Sequence, residues 1–317
     1  MKKCLAIVVA IVLIVLVCAL CACKDSDTIT FYIPDGAPAL SVAKIVNDKK
    51  VGDTSVNTVI TTGENVVAKC ASGEADMAVL PTNAAVKICQ SRNDYLLFSV
   101  NVYGVLYIVG TREITSLADL QGETLYSIGL GNTPEYVFKT ICDKQGVKYS
   151  GDGAIDIMYE ADASTINPQI LQGKAEFALI GEPAVTNLTN AAKAKGITVY
   201  TLFDLQELWQ QATDSDAKGY PQASMIVKKS LLTDKFAKEL KCVLDANSEF
   251  LLANCDRLND LMKEAHSTLD VNYTVDILNR CNLTVISAQD AKADIKKYLS
   301  TFGITNISDS IYYETEN

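Results

Sequence analysis

The sequence predicts an α/β fold of two lobes, each built around parallel strands, and three observations carry that prediction. The first is an internal repeat. Gly73-Glu-Ala-Asp-Met-Ala-Val-Leu-Pro-Thr-Asn-Ala-Ala85 returns 100 positions later as Gly173-Lys-Ala-Glu-Phe-Ala-Leu-Ile-Gly-Glu-Pro-Ala-Val185. In each copy a Gly-X-Ala-acid turn leads into an apolar run with the length of a buried parallel strand, which ends in a polar, proline-containing loop. The second observation is order: strand, loop and helix alternate from residue 28 and restart near Ser116, the pattern of parallel α/β units. The third is Ala223 to Lys228, a strand-like run that returns the chain to its first half. A chain that returns there would cross between the lobes twice.

Taken in order, Thr28 to Ile33 alternates and is rich in β-branched and aromatic residues, so it reads as a strand. A helix follows over Ala39 to Asn47, with Asp35 or Gly36 as its cap and Pro38 in its first turn, where proline is tolerated. Ser55 to Thr61 and Met77 to Leu80 are strands around a helix beginning at Gly63. Thr82 and Asn83 are good N-caps for a helix over Ala84 to Cys89. Tyr95 to Val109 holds two strand-like runs joined at Tyr103-Gly104. In the second half, Ser116 to Gly122 is a short helix closed by glycine. Leu125–Ile128, Ile155–Tyr159, Phe177–Ile180 and Thr198–Leu202 are strands, interleaved with helices over Glu135–Gln145, Ile166–Leu171 and Ala184–Lys195. Asp204 to Ala212 is a helix carrying Trp209, and Thr213 to Gln222 a polar loop. The tail reads as amphipathic helices throughout, over 233–252, 254–265, 274–282 and 287–302.

The N-terminus lies outside the fold. Met1-Lys-Lys precedes an unbroken apolar run from Cys4 to Cys23, a basic n-region followed by an h-region. Leu20-Cys-Ala-Cys23 resembles a bacterial lipobox, so residues 1–22 are expected to be a signal peptide, Cys23 a lipidated residue and 23–27 a polar tether. The alternative is an uncleaved anchor, since about 20 apolar residues also span a bilayer. Either way the rest of the chain faces outward, anchored to the cell membrane.

Loss of Lys2 and Lys3 lowers the basic count from 28 to 26 against 38 acids, a net charge of −12. That balance argues against nucleic acid as a partner, which needs basic stripes. Six further cysteines (Cys70, Cys89, Cys142, Cys242, Cys255 and Cys281) form no CxxC pair, and His266 is the only histidine, which argues against a zinc or iron–sulfur site. Most sit on apolar helical faces and are expected to be free thiols. Cys242, Cys255 and Cys281 are the ones to pair if any do.

Four loops are the candidate ligand site, because open α/β sheets bind ligands at the carboxyl ends of their strands. Asp35-Gly36-Ala37-Pro38 and Gly129-Leu-Gly131-Asn132-Thr133-Pro134 each join a first strand to a first helix. Their small residues admit a ligand to the backbone, and N–H groups at a helix start bind anionic or carbonyl oxygens. Pro81-Thr82-Asn83 and Gly181-Glu182-Pro183 are the second pair. Thr82 and Asn83 either donate to a ligand or cap their helix. Glu182 accepts from a ligand N–H or pairs with a lysine across the closed cleft. Tyr103 and Gln222 sit at the expected crossings. Tyr32, Tyr103, Tyr136, Trp209 and Tyr220 offer a stacking face for a ring, or else are core. Replacing Asp35 or Asn132 is expected to weaken binding without unfolding the chain.

No enzyme constellation emerges. Gly129-X-Gly131 lacks the third glycine of a dinucleotide fingerprint, where Pro134 stands. There is no Gly-X-Ser-X-Gly and no Cys/His pair near the loops. Of the four arginines (Arg92, Arg112, Arg257, Arg280), none falls in the four loops, so no bidentate clamp for a carboxylate or sulfonate is visible. No cofactor is expected.

With these elements in place, the chain resembles the solute-binding lipoproteins of ABC importers, in the nitrate/sulfonate/taurine/thiamine-precursor group. The resemblance rests on Pro34-Asp-Gly-Ala-Pro-Ala-Leu40, Gly73-Glu-Ala-Asp-Met-Ala78, Leu117-Ala-Asp-Leu-Gln-Gly122, Leu171-Gln-Gly-Lys-Ala-Glu-Phe-Ala178 and Glu182-Pro183, and covers roughly residues 28 to 230. It implies a type II periplasmic-binding-protein fold with crossings near Tyr103–Leu106 and Gln222–Met225 and a tail that rejoins the first lobe, so that 28–104 with 223–317 form one lobe and 105–222 the other. It further implies a monomer that captures a small polar molecule or ion by hinge closure and docks on a membrane permease with its ATPase. An enzyme on the same scaffold, similar to pyrimidine-synthesising relatives, is one alternative, although their cysteine- and histidine-rich signature is absent. A lipid-anchored ligand sensor is the other.

Overall fold

Two sheets organise residues 28–214 and 219–314, the parts of the chain that the computed structural model describes. The expected signal peptide, the tether and Cys23 lie outside these residues.

The first sheet has seven strands. Strands β1 (Ile29–Pro34), β3 (Thr54–Thr61) and β4 (Met77–Pro81) are parallel to one another. β2 (Lys50–Val51) pairs antiparallel with the outer side of β3. β11 (Ala223–Lys228) lies antiparallel between β4 and β5 (Tyr95–Val102), and β12 (Leu283–Ser287) closes the far edge against β5. The helices here are α1 (Ala37–Leu40), α2 (Ala43–Asp48), α3 (Gly63–Ser72) and α4 (Thr82–Arg92).

The second sheet runs β10-β6-β9-β7-β8. β7 (Thr124–Ile128), β8 (Asp156–Glu160) and β9 (Phe177–Gly181) are parallel, while β6 (Leu106–Gly110) lies antiparallel to β9 and β10 (Tyr200–Asp204) antiparallel to β6. Its helices are α5 (Thr133–Gln145), α6 (Ala163–Leu171), α7 (Ala184–Ala194) and α8 (Leu205–Thr213).

The repeat read from the sequence is thus a repeat in space. β4 and β9 each pair on one side with the first parallel strand of their sheet, β1 or β7, and on the other with an antiparallel crossing strand, β11 or β6. Met77–Leu80 and Phe177–Ile180 are buried at every position, because helices cover both faces of a parallel sheet and leave no polar side.

The tail corrects the all-helical expectation. α9 (Asp234–Asp245) and α10 (Asn247–Ala253) are separate helices, and Asn247 turns its amide to the carbonyl of Leu40. α11 (Leu258–Glu264) and α12 (Val275–Arg280) follow, then β12, then α13 (Lys292–Ser300). Strand β12 occupies the gap between two predicted helices. Its Leu-Thr-Val-Ile-Ser run is β-branched but short, half-buried and at an edge, so no clean alternation marks it. The helix expected over Ala39–Asn47 also breaks in two, at Ser41–Val42.

All six cysteines are free. Burial pushes the thiols of Cys70, Cys89 and Cys142 up to about 12, so they are inert at neutral pH. No helix of the described residues is long and apolar enough to cross a membrane.

Candidate functional site

The carboxyl ends of the parallel strands in the two sheets face one cavity of about 170 Å³. From the seven-stranded side the loops after β1 (Asp35, Gly36, Ala37, Pro38), β3 (Thr61 to Glu64) and β4 (Pro81) reach it. From the five-stranded side come the loops after β7 (Gly129, Asn132, Thr133), β8 (Ala161 to Ser164) and β9 (Gly181, Glu182), while Gln222 enters from the return crossing. Thr268 and Leu269 of the tail complete the wall.

Two glycines set this geometry. Gly36 is the N-cap of α1 with φ 92°, a left-handed conformation closed to most side chains. Gly129 has φ 79°, and a Cβ there would lie 2.5 Å from Pro134 Cγ. The tight turns expected from the small residues are therefore backbone requirements.

Four sequence candidates lie off the cavity wall. Thr82 is fully buried and its hydroxyl bonds Ser224 Oγ at 2.8 Å. Asn83 Nδ2 donates to Gly131 O at 3.2 Å, and its Oδ1 accepts from the Thr133 hydroxyl at 3.5 Å. The capping alternative for this pair is overturned: α4 begins at Thr82 itself, Pro81 is its N-cap, and no side chain caps it. Asn83 instead bridges the two sheet units. Tyr103 sits at the outward crossing with its hydroxyl buried, and Gly131 gives its N–H to the Glu135 carboxylate at 2.5 Å. Burial alone would raise the Glu135 pKa, but Lys139, the Gly131 N–H and Tyr159 outweigh it and hold the carboxyl below the ordinary range.

The acids on the wall are already engaged to different degrees. Asp35 accepts from Gly36 N and Ser267 Oγ on one oxygen, and from Thr268 N and Oγ1 on the other. That saturates the carboxylate and makes it a strap between the first βα loop and the tail. The expectation for Asp35 changes accordingly: Asp35→Ala should cost about 1–3 kcal/mol of stability through loss of charge-assisted bonds, read by chemical denaturation. Unchanged stability would show that the strap carries nothing.

Glu182 is 3% exposed. It accepts from Thr186 N, Thr186 Oγ1 and Arg280 Nε, the last at 2.8 Å. The partner across the cleft is thus an arginine, delivered by α12, and not the lysine expected. The sequence offered no signal for this pairing, since 98 residues separate the two.

The aromatic residues considered as a stacking face do not line the cavity. Tyr136, Trp209 and Tyr220 pack with Tyr298 and Phe302 in a cluster of their own. Among the described residues no group of three or more His, Cys, Asp or Glu side chains is placed to hold a metal ion. His266 is exposed beyond the end of α11.

No protein-family model matches the chain, and no curated protein matches it by sequence. Solved structures do. An ABC transporter protein from Parabacteroides distasonis superposes with a TM-score of 0.73 at 19% identity, over 92% of this chain and 100% of that one. The alkanesulfonate-binding protein SsuA of Xanthomonas axonopodis pv. citri, bound to MOPS, gives 0.63 at 13% identity, over 91% and 95%. The ligand-binding component of an ABC-type import system from Staphylococcus aureus, with zinc bound, gives 0.62 at 11% identity, over 90% and 96%. The chain has the two-lobed type II periplasmic-binding-protein fold of these solute-binding proteins.

Proposed function

We propose that the chain is the extracytoplasmic solute-binding lipoprotein of an ABC importer, anchored through Cys23 after removal of residues 1–22. Residues 28–104 with 223–317 form one lobe and 105–222 the other, hinged near Tyr103–Leu106 and Gln222–Met225. A monomer captures one small polar solute between them and presents the closed form to a permease and its ATPase. Asp35, Gly36, Ala37, Pro38, Pro81, Gly129, Asn132, Thr133, Gly181, Glu182 and Gln222 shape the site, and Thr82, Asn83, Tyr103 and Gly131 hold that shape from behind.

One observation carries this reading: a single cavity walled by βα loops of both sheets, in a fold shared with ABC solute-binding proteins. Such a cavity is completed only when the lobes close, so a bound solute stabilises the closed form by its contacts with both. The wall residues include no cysteine and no histidine, which supports binding over chemistry.

A thermal-shift screen of the purified chain against sulfonates, nitrate, pyrimidines, amines and small polyols tests the proposal. A solute at 100 times its Kd should add about 2.7 kcal/mol of stability. Turnover of a stabilising solute without any transporter present would replace the proposal with the enzyme reading.

A further inference from the structure

We infer that the solute is a small aliphatic cation, an amine or quaternary ammonium, and not an oxyanion. The inference rests on the solute-binding reading above and narrows it from the charge complement of the cavity wall.

No lysine, arginine, histidine or aromatic residue lines the cavity, whereas Asp35, Glu64, Asp162 and Glu182 do. Glu182 is neutralised by Arg280. Among the described residues none forms an ion pair with Asp35, Glu64 or Asp162, so the wall carries uncompensated negative charge.

At the starts of α6 and α3, and at Gly36, the N–H groups by which such loops hold anions are meanwhile spent on the protein's own oxygens. Asp162 Oδ1 takes the N–H groups of Ser164 and Thr165 at the start of α6. Thr62 Oγ1 takes that of Asn65 in α3, and Asp35 takes that of Gly36. A helix start whose donors and positive dipole end are met by an internal oxygen has little left for a ligand oxyanion.

Acceptors, in contrast, remain. Asp162 Oδ2 accepts from none of the described residues, and Glu64 is exposed in the first turn of α3. The two come from opposite sheets and line the same cavity. Two like charges on opposing lobes resist approach, and a cation between them converts that repulsion into attraction. A cationic solute therefore drives closure with the same groups that hold the empty lobes apart. The cavity volume of about 170 Å³ compares with the ~150 Å³ void that accepts benzene, which limits the solute to a similar size. Without an aromatic cage, the ammonium must be met by carboxylates.

The test uses the full chain purified in a non-ionic detergent. It compares 2-aminoethanol, choline and putrescine with ethanesulfonate, methylphosphonate, nitrate and neutral propane-1,2-diol, by thermal shift and then calorimetry at fixed ionic strength. At least one amine is expected to bind and none of the anions. Glu64→Gln and Asp162→Asn should each weaken the amine about 3- to 10-fold, as loss of one partly exposed charge partner implies. Asparagine caps a helix as well as aspartate does, so the second variant keeps α6 intact.

Binding of an anion in place of the amines overturns the inference while leaving the solute-binding reading in force. So does amine binding that both variants leave unchanged. No binding by any of the seven solutes also overturns it, and whether the cavity then takes some other solute is read separately by dialysis against a whole metabolite extract.

Discussion

Replacing Trp209 with alanine is expected to lower the stability of the chain by about 3–5 kcal/mol, the range for emptying a buried tryptophan site. Trp209 is 4% exposed. Its ring lies 5.3 Å from Tyr220, 5.5 Å from Tyr298 and 5.8 Å from Phe302, centroid to centroid. Tyr136 of α5 stacks on Phe302 at 5.0 Å, and Tyr220 on Tyr298 at 5.6 Å. These rings come from two helices of the five-stranded sheet, from the segment entering the return crossing, and from α13 with Phe302 two residues past its end. Each such contact adds about 0.5–1.5 kcal/mol beyond burial. The cluster therefore fastens the tail to the second sheet where the chain crosses back. Thermal or chemical denaturation of Trp209→Ala should show a fall in Tm on the order of 10 °C, at roughly 2–4 °C per kcal/mol for a chain of this size. Trp209→Phe should recover most of it. A loss below ~1 kcal/mol in the alanine variant would mean the cluster does not hold the tail.

Arg280→Ala is the second large effect, and it falls on closure as well as stability. Glu182 is 2% exposed at its side chain while Arg280 is 48% exposed, so removing the arginine strands a buried carboxylate with only the Thr186 N–H and hydroxyl. Breaking a fully buried pair costs about 3–5 kcal/mol, and the half-exposed guanidinium reduces that to roughly 2–3. Because Glu182 directly follows β9 and Arg280 ends α12 just before β12, the bond ties one sheet unit to the other. The variant should unfold earlier, and its radius of gyration in solution scattering should rise as the lobes part. Glu182→Gln with Arg280→Ala together should recover part of the stability, since no buried charge is then left unpaired. Loss of stability with no change in solution size would limit the pair to a local role.

Much of the architecture was legible because its signals are local. The β4 and β9 runs announce themselves as unbroken apolar stretches, and the turns at Gly36 and Gly129 as small residues between strand and helix. Lys50–Val51 was too short to stand out, and Leu283–Ser287 pairs at an edge, where half-burial blurs the alternation. The cavity was half legible. The same argument that selected the loops after β1, β4, β7 and β9 applies to Thr61–Glu64 and Ala161–Ser164. Ala161–Ser164 has neither glycine nor proline, and Thr61–Glu64 has only Gly63, against the glycine–proline pairs that drew out most of the other loops, although Thr62 and Asp162 both cap the helices that follow. The contacts that join the sheets were not legible. Asn83 with Gly131, and Glu182 with Arg280, depend on how two folded units meet, which no local pattern encodes.

Equilibrium dialysis against a bacterial metabolite extract, followed by mass spectrometry of the retained solutes, tests the central claim most directly. Wild-type chain should enrich one small solute at one per chain. Ala163→Trp, which adds an indole at the half-buried start of α6 on the cavity wall, should enrich none of it while still unfolding in a single cooperative transition. Equal enrichment by both proteins, or none by the wild type, would contradict a solute site between the lobes.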